Sequence, residues 1–296
     1  MLTDLIGIPI QALAGQLLLG LINGSFYAML SLGLAIIFGL LHIINFTHGA
    51  QYTMGAFAAW IGMTYFGVNY WWALILVPLV VGLIGVAIER LMLVRIRDIA
   101  PLYGLLLTFG LALVIQGLFR HYFGASGLRY PIPPLLSSGS NLGFMFLPHY
   151  RAWVLVASIV VCLATWLVIE RTRIGATLRA AQENPGLVEA FGIHVPRLIT
   201  ITYGTGVALA AFAGVLAAPI YSVQPQMGAD LLIVVFAVVV IGGMGSILGS
   251  ILTGLGLGLI EGLTKVFYPE ASSVIIFVIM ILVLMVKPEG LFGRAH

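Results

Sequence analysis

The sequence predicts an all-α, polytopic integral membrane protein of about eight to nine transmembrane segments, some of them broken or re-entrant. Three observations carry that class. Hydrophobic residues make up 61% and charged residues 8% of the chain, with a mean hydropathy of +1.14, against roughly 25% charged residues in a soluble domain. Residues 5–88 contain no Asp, Glu, Lys or Arg, which leaves room for about three crossings at ~20 residues each. Residues 73–87 and 272–286 are almost continuously apolar, whereas a membrane β-barrel alternates with period two. The net charge of +3 does not point to nucleic acid, because the basic residues form no run; orientation in lipid explains them better. Residues 1–10 carry Asp4 and no Lys or Arg, so no signal peptide is expected. Cys162 is the sole cysteine, which excludes an internal disulfide and a cysteine metal cluster.

In order, the apolar segments are 11–38, 50–66, 71–93, 102–122, 152–169, 198–221, 229–241, 247–266 and 272–286. Segment 229–241 is short for a full crossing and reads as one limb of a broken or re-entrant pair with 247–266. If the segments alternate sides, Arg90, Arg95, Arg97, Arg171, Arg173, Arg179, Arg197, Lys287 and Arg294 share one side, and Arg120, Arg129, Arg151 and Lys265 the other. The positive-inside rule then puts the N-terminus outside and the C-terminus in the cytoplasm. Residues 1–296 read as one transmembrane domain with two long connections.

The outer connection, 124–150, holds Pro131, Pro133, Pro134 and Pro148, which disfavour regular helix. It is either a solvated loop or a docking surface. The inner connection, 170–197, concentrates Glu170, Arg171, Arg173, Arg179, Glu183, Glu189 and Arg197 and reads as helix, break, helix. Ile174, Leu178 and Ala181 form a stripe at helical spacing. Asn184 is an N-cap, Pro185 the first helical position and Gly192 the stop. The enclosed helix presents Leu187, Ala190 and Phe191 on one face and is too short to stand alone in water. It must lean on the membrane surface, on the rest of the chain or on a partner.

Six strings together carry a resemblance. Asn23-Gly24-Ser25-Phe26-Tyr27, Asn45-Phe46-Thr47-His48-Gly49, Ile88-Glu89-Arg90, the island from Arg171-Thr172-Arg173-Ile174-Gly175 through Glu183-Asn184-Pro185 to Phe191-Gly192-Ile193, Gly242-Gly243-Met244-Gly245-Ser246, and Lys287-Pro288-Glu289-Gly290-Leu291-Phe292-Gly293 resemble the permeases of branched-chain amino acid ABC importers, and among them the H-type subunit. Thr47 departs from the alanine usual there. The resemblance implies a bacterial inner-membrane importer. Its other parts would be a homologous second permease, two cytoplasmic ATPase subunits and a periplasmic binding protein. ATP and magnesium would be held by the ATPase subunits, with no cofactor or metal on this chain. It also places the coupling region at Arg179, Glu183, Asn184, Pro185, Leu187, Ala190, Phe191 and Gly192. Relatives that move urea, short amides or aromatic carboxylates share the same architecture.

Residue chemistry agrees with a subunit that borrows its energy. No G-x-x-x-x-G-K-[ST] loop is present, since Lys265 and Lys287 lie in Thr-Lys-Val and Val-Lys-Pro. Neither H-E-x-x-H nor G-x-S-x-G occurs, so no hydrolase is indicated. A stand-alone secondary carrier would want ionisable residues deep in the spans. Here Glu89 reads as paired with Arg90 at an inner boundary, Asp230 as lying at an outer one, and Glu261 as sharing a helical face with Lys265.

Two uncharged, glycine-centred interruptions, 45–55 and 242–249, stand apart. Unwound backbone in lipid is tolerated only where protein or a water-filled cavity covers it. Asn45, Thr47, His48 and Gln51 can guide a zwitterion without trapping it, and with Asn23, Gly242, Gly243 and Gly245 they form the candidate substrate pathway. The competing reading is that the glycines serve close helix packing and the polar groups satisfy the backbone.

Overall fold

Apolar runs of this length can satisfy their backbone in lipid only by folding as helices. The computed structural model describes residues 9–41, 44–96 and 100–293. Its helices are α1 (Ile10–Leu41), α2 (Thr47–Phe66), α3 (Tyr70–Leu91), α4 (Pro101–Phe123), α5 (His149–Arg171), α6 (Arg173–Glu183), α7 (Pro185–Ala190), α8 (Val195–Ala217), α9 (Met227–Gly242), α10 (Ile247–Phe267) and α11 (Ile275–Val286). Each apolar segment read from the sequence lies on one of them. Among the described residues six helices are long and apolar enough to cross a membrane, namely α1, α3, α4, α5, α8 and α10, while α9 and α11 are shorter apolar helices. The chain is thus a polytopic all-α membrane protein, and length and composition support six crossings without fixing the expected eight or nine.

Local chemistry sets the helix starts. Side chains of Asn69, Thr172, Asn184 and Ser246 accept hydrogen bonds from the backbone N–H groups of Trp72, Gly175, Leu187 and Gly249, the N-cap arrangement. The charged island folds as α6 and α7, separated at Asn184.

Helix α1 is the axis of the bundle. At 32 residues it is about 48 Å long, well beyond a ~30 Å hydrocarbon core. Its stretch from Ala28 to Ile37 is buried all round, as a helix without a polar face must be. Against it packs α10, through small residues one turn apart: Gly20, Gly24 and Ala28 meet Gly254, Gly258 and Gly262. A Cβ on Gly258 would come 2.3 Å from the Cα of Gly24. Such stripes let backbones touch and gain dispersion contacts that lipid cannot supply. Helix α8 is the second axis, taking Gly82 and Gly85 of α3 and Gly55 of α2 against its own small residues.

The two long connections lie at opposite ends of α1. Gly15 faces Met145, beside an antiparallel hairpin of β1 (Gly139–Asn141) and β2 (Phe146–Pro148), while Gly39 faces the side-chain amide of Gln182. Twenty-four residues separate these glycines, about 36 Å of helix. The connection 124–150 is tied back to the bundle. Leu128 bridges to Val223, and Tyr130 is buried near Tyr70, where burial pushes its hydroxyl up to about 12.

Candidate functional site

Three layers along α1 carry the candidate residues. In the middle layer α2 begins at Thr47, beside Leu30 of the continuing α1. Asn45 accepts from the Thr47 amide at 3.1 Å, and Thr108 of α4 braces the turn: its hydroxyl accepts from Phe46 N–H at 3.3 Å, and its carbonyl accepts from the Thr47 hydroxyl at 2.9 Å. Side-chain amides of Asn45 and Gln51 reach the Tyr203 hydroxyl of α8 at 3.3 and 3.0 Å. His48 Nε2 lies 3.0 Å from the Leu30 carbonyl, so it carries the proton there. Asn45, Thr47, His48, Gln51 and Thr53 are all buried.

The sequence reading expected an interruption over residues 45–55. The backbone is helical from Thr47 onward, because these side chains bond across to α1, α4 and α8 from within a helix and need no unwound backbone to do so. His42 and Ile43 lie outside the described residues.

Helix α9 begins in this same layer. The Gly228 amide donates to Thr53 Oγ1 at 3.1 Å, and a Cβ on Gly228 would fall 1.8 Å from the Gly49 carbonyl oxygen. The 16-residue helix then runs to the far end of the bundle. Asp230, expected at an outer boundary, therefore sits in the first turn of a helix that starts beside Gly49, where the positive end of the helix dipole favours a carboxylate. Next to the turn, a cleft of about 200 Å³ is lined by Leu34, Ile44, Asn45, Phe46, Leu232 and Phe236, with Ile233 at its edge.

Asn23 belongs to a different layer. Its carbonyl oxygen accepts from Tyr221 at 3.3 Å, about 10 Å along α1 from Leu30. One turn away, Tyr27 donates to Glu261 at 2.7 Å, and Glu261 pairs with Lys265 as the shared helical face required. Glu89 is buried and accepts from Thr200 of α8 at 2.6 Å, a contact across helices.

Gly242, Gly243 and Gly245 lie at the end of α1 nearest the island. A Cβ on Gly242 would meet the Gly249 backbone at 2.8 Å, and one on Gly243 the Gly293 amide at 2.4 Å. Gly245 has its nearest neighbour, Gly39, at 3.4 Å, and its φ of +83° favours glycine. Residues after α11 close this turn: Leu291 and Phe292 amides donate to the Ile241 and Gly242 carbonyls at 2.7 and 3.1 Å, capping α9.

In the island, Leu178, Ala181 and Val188 are buried with Leu40 of α1 and Val195 and Ile199 of α8. Arg179 bonds the Ile169 carbonyl and pairs with Glu170 at 3.2 Å, tying α6 to the end of α5. Asn184 accepts from the Leu187 amide at 2.9 Å, Pro185 opens α7, and Gly192 follows it with φ +82°. Leu187 is 55% and Phe191 78% exposed; Glu183 and Ala190 are exposed beside them. Ile174 is the one misplaced member of the stripe, at 65% exposure. Gly175 packs on the Ile169 carbonyl, so the buried line runs Gly175, Leu178, Ala181 and leaves Ile174 on the rim.

Tyr203 and Thr108 are site residues that the sequence did not point to, each in an apolar run with nothing local to mark it, while Tyr27 was marked only as part of the string from Asn23. The small-residue stripes at 20, 24, 28 and 254, 258, 262 were also passed over, although their spacing marks them.

The family described as branched-chain amino acid transport system, permease component, matches residues 16–284. The chain is 29% identical to the high-affinity branched-chain amino acid transport system permease protein LivH of Salmonella typhimurium, covering 94% of this chain and 95% of the relative. It is 31% identical to BraD of Pseudomonas aeruginosa, described in the same words, over the same shares. It is 26% identical to the permease protein LivM of Escherichia coli, over 90% of this chain and 67% of that one. No solved structure matches. By the span of the family match and of these relatives, the chain belongs to the permease components of branched-chain amino acid transport systems.

Proposed function

We propose that this chain is one of two membrane-spanning permease subunits of an ABC importer, carrying branched-chain or other hydrophobic amino acids into the cytoplasm. ATP is hydrolysed with magnesium on two partner ATPase subunits, and a periplasmic protein delivers the substrate. The observation that carries the reading is the island: α7 is anchored on α1 through Val188 while Leu187 and Phe191 point away from the chain. An apolar surface on an anchored hairpin fits the groove of a soluble subunit, where burying each side chain contributes about 1.5–3 kcal/mol.

Charge supports the orientation. Arg171, Arg173, Arg179 and Arg197 lie at the island end with Lys287, while Arg151 and Lys265 lie toward the hairpin end, so the island faces the cytoplasm of a bacterial inner membrane and the N-terminus the periplasm. The full-length similarity to LivH together with the weaker similarity to LivM supports a homologous second permease as partner. The uncharged middle layer suits a zwitterion that must pass without being held.

Reconstitution tests the reading. Vesicles holding this chain alone should be inert, and addition of the second permease, the ATPase subunits and the binding protein should give ATP-dependent leucine uptake. Uptake by the chain alone would identify a stand-alone carrier instead.

A further inference from the structure

Three buried polar atoms of α2 have no hydrogen-bond partner among the described residues: Gln51 Oε1, whose amide nitrogen bonds Tyr203, and two that border α9. One is His48 Nδ1, left as a bare acceptor because Nε2 serves the Leu30 carbonyl. The other is the Tyr52 hydroxyl, one turn further on. Both residues are fully buried, and both line the seam between α2 and α9, whose opposite wall is Leu231, Leu232 and Val235. The seam has no room for a water molecule. Leaving such groups unpaired against an apolar wall is unfavourable, and here two of them share one seam.

Helix α9 supplies the opposite wall and crosses α2 with the bare backbones of Gly49 and Gly228 face to face, one hydrogen bond to Thr53 joining them among the described residues. At its other end it is bounded by Gly243 and Gly245, both at positive φ. Leu232 borders the closed seam on one side and the apolar cleft of about 200 Å³ on the other. That cleft is below the ~300 Å³ of sites for drug-sized ligands and suits a single aliphatic side chain.

We infer that the α2–α9 seam is a closed site for the head group of an amino acid whose side chain occupies the adjoining cleft, with Leu232 as the barrier between them. His48 Nδ1 accepts from the ammonium group, the Tyr52 hydroxyl donates to the carboxylate, and displacement of α9 gives both atoms partners. This assignment rests on the importer reading above and adds to it the atoms that the substrate's head group meets on its way.

The test uses the complete importer in proteoliposomes, with Leu232→Cys on a Cys162→Ala background. N-ethylmaleimide should modify the introduced thiol faster during ATP turnover than at rest, and leucine presented by the binding protein should slow that modification about tenfold, the scale of one hydrogen bond to a charged group. Tyr52→Phe, which removes only an unpartnered hydroxyl, and His48→Gln should each abolish the protection by leucine. A thiol indifferent to turnover overturns the moving wall, and a thiol indifferent to leucine overturns the site. Protection that survives both substitutions overturns the assignment of these atoms. If the unmodified importer fails to take up leucine at all, the importer reading falls with it; normal uptake with no protection removes this site alone.

Discussion

The middle layer and the island each invert the expected distribution of polarity, in opposite senses. Around α2 the chain buries Asn45, Thr47, His48, Gln51 and Thr53 where apolar side chains would serve. On α7 and at the residue that caps it, the chain exposes Leu187 and Phe191 outside the apolar bundle, on its most charged segment. Most of the buried polar groups are bonded across helices, so the layer is cohesive in its closed form. The exposed apolar groups are bonded to nothing, while their neighbour Val188 is firmly packed. A buried polar cluster that is nearly satisfied holds helices in register; an anchored but uncovered apolar face asks for a partner.

The largest expected effect separates the regions by side of the membrane. Cysteine at exposed Ser138, on the hairpin end, should react with an impermeant thiol reagent added outside, while cysteine at exposed Glu189 should react only in inverted vesicles. Labelling from the same side would merge the two ends that the account holds apart.

Next comes the difference in tolerance to added volume. Gly49→Ala puts a Cβ 2.5 Å from the Gly228 carbonyl and should cost about 1–3 kcal/mol of overpacking, read as a lower melting temperature in detergent and reduced yield. Gly192→Ala has nothing within 4 Å and should show only the smaller strain of a positive φ, about 1 kcal/mol. Equal losses would mean that the middle layer is no tighter than the island.

Much of the island was legible because its signals are local. The Asn184 cap, Pro185 and the Gly192 stop all lie within one short segment, and each does what its chemistry dictates. Ile174 was misjudged because helical spacing gives a face but not its phase, which here is set by Gly175 lying on the Ile169 carbonyl. The middle layer was half legible. Its uncharged polar residues were conspicuous, but their partners Tyr203, Thr108 and Leu30 come from helices distant in sequence. The depth at which α9 starts follows from the Gly49–Gly228 contact, which no window of sequence contains.

A smaller effect sharpens the reading of the turn that joins the regions. Gly242→Ala and Gly243→Ala meet backbone within 3 Å and should lose folded yield and uptake in proportion. Gly245→Ala has space but an unfavourable φ, so it should keep most of its yield while slowing leucine-stimulated ATP hydrolysis and uptake together. Proportional losses in all three would make the turn purely structural.

The central claim is that the exposed face of α7 is a docking surface, and the most direct measurement is a titration. Purified ATPase subunits are added to proteoliposomes carrying both permeases, with this chain as wild type or as Phe191→Ala, and the bound fraction is measured. The account predicts an unchanged melting temperature for the variant, since Phe191 is 78% exposed, together with association weakened about tenfold or more, the equivalent of burying one large apolar side chain. Identical titration curves would contradict it.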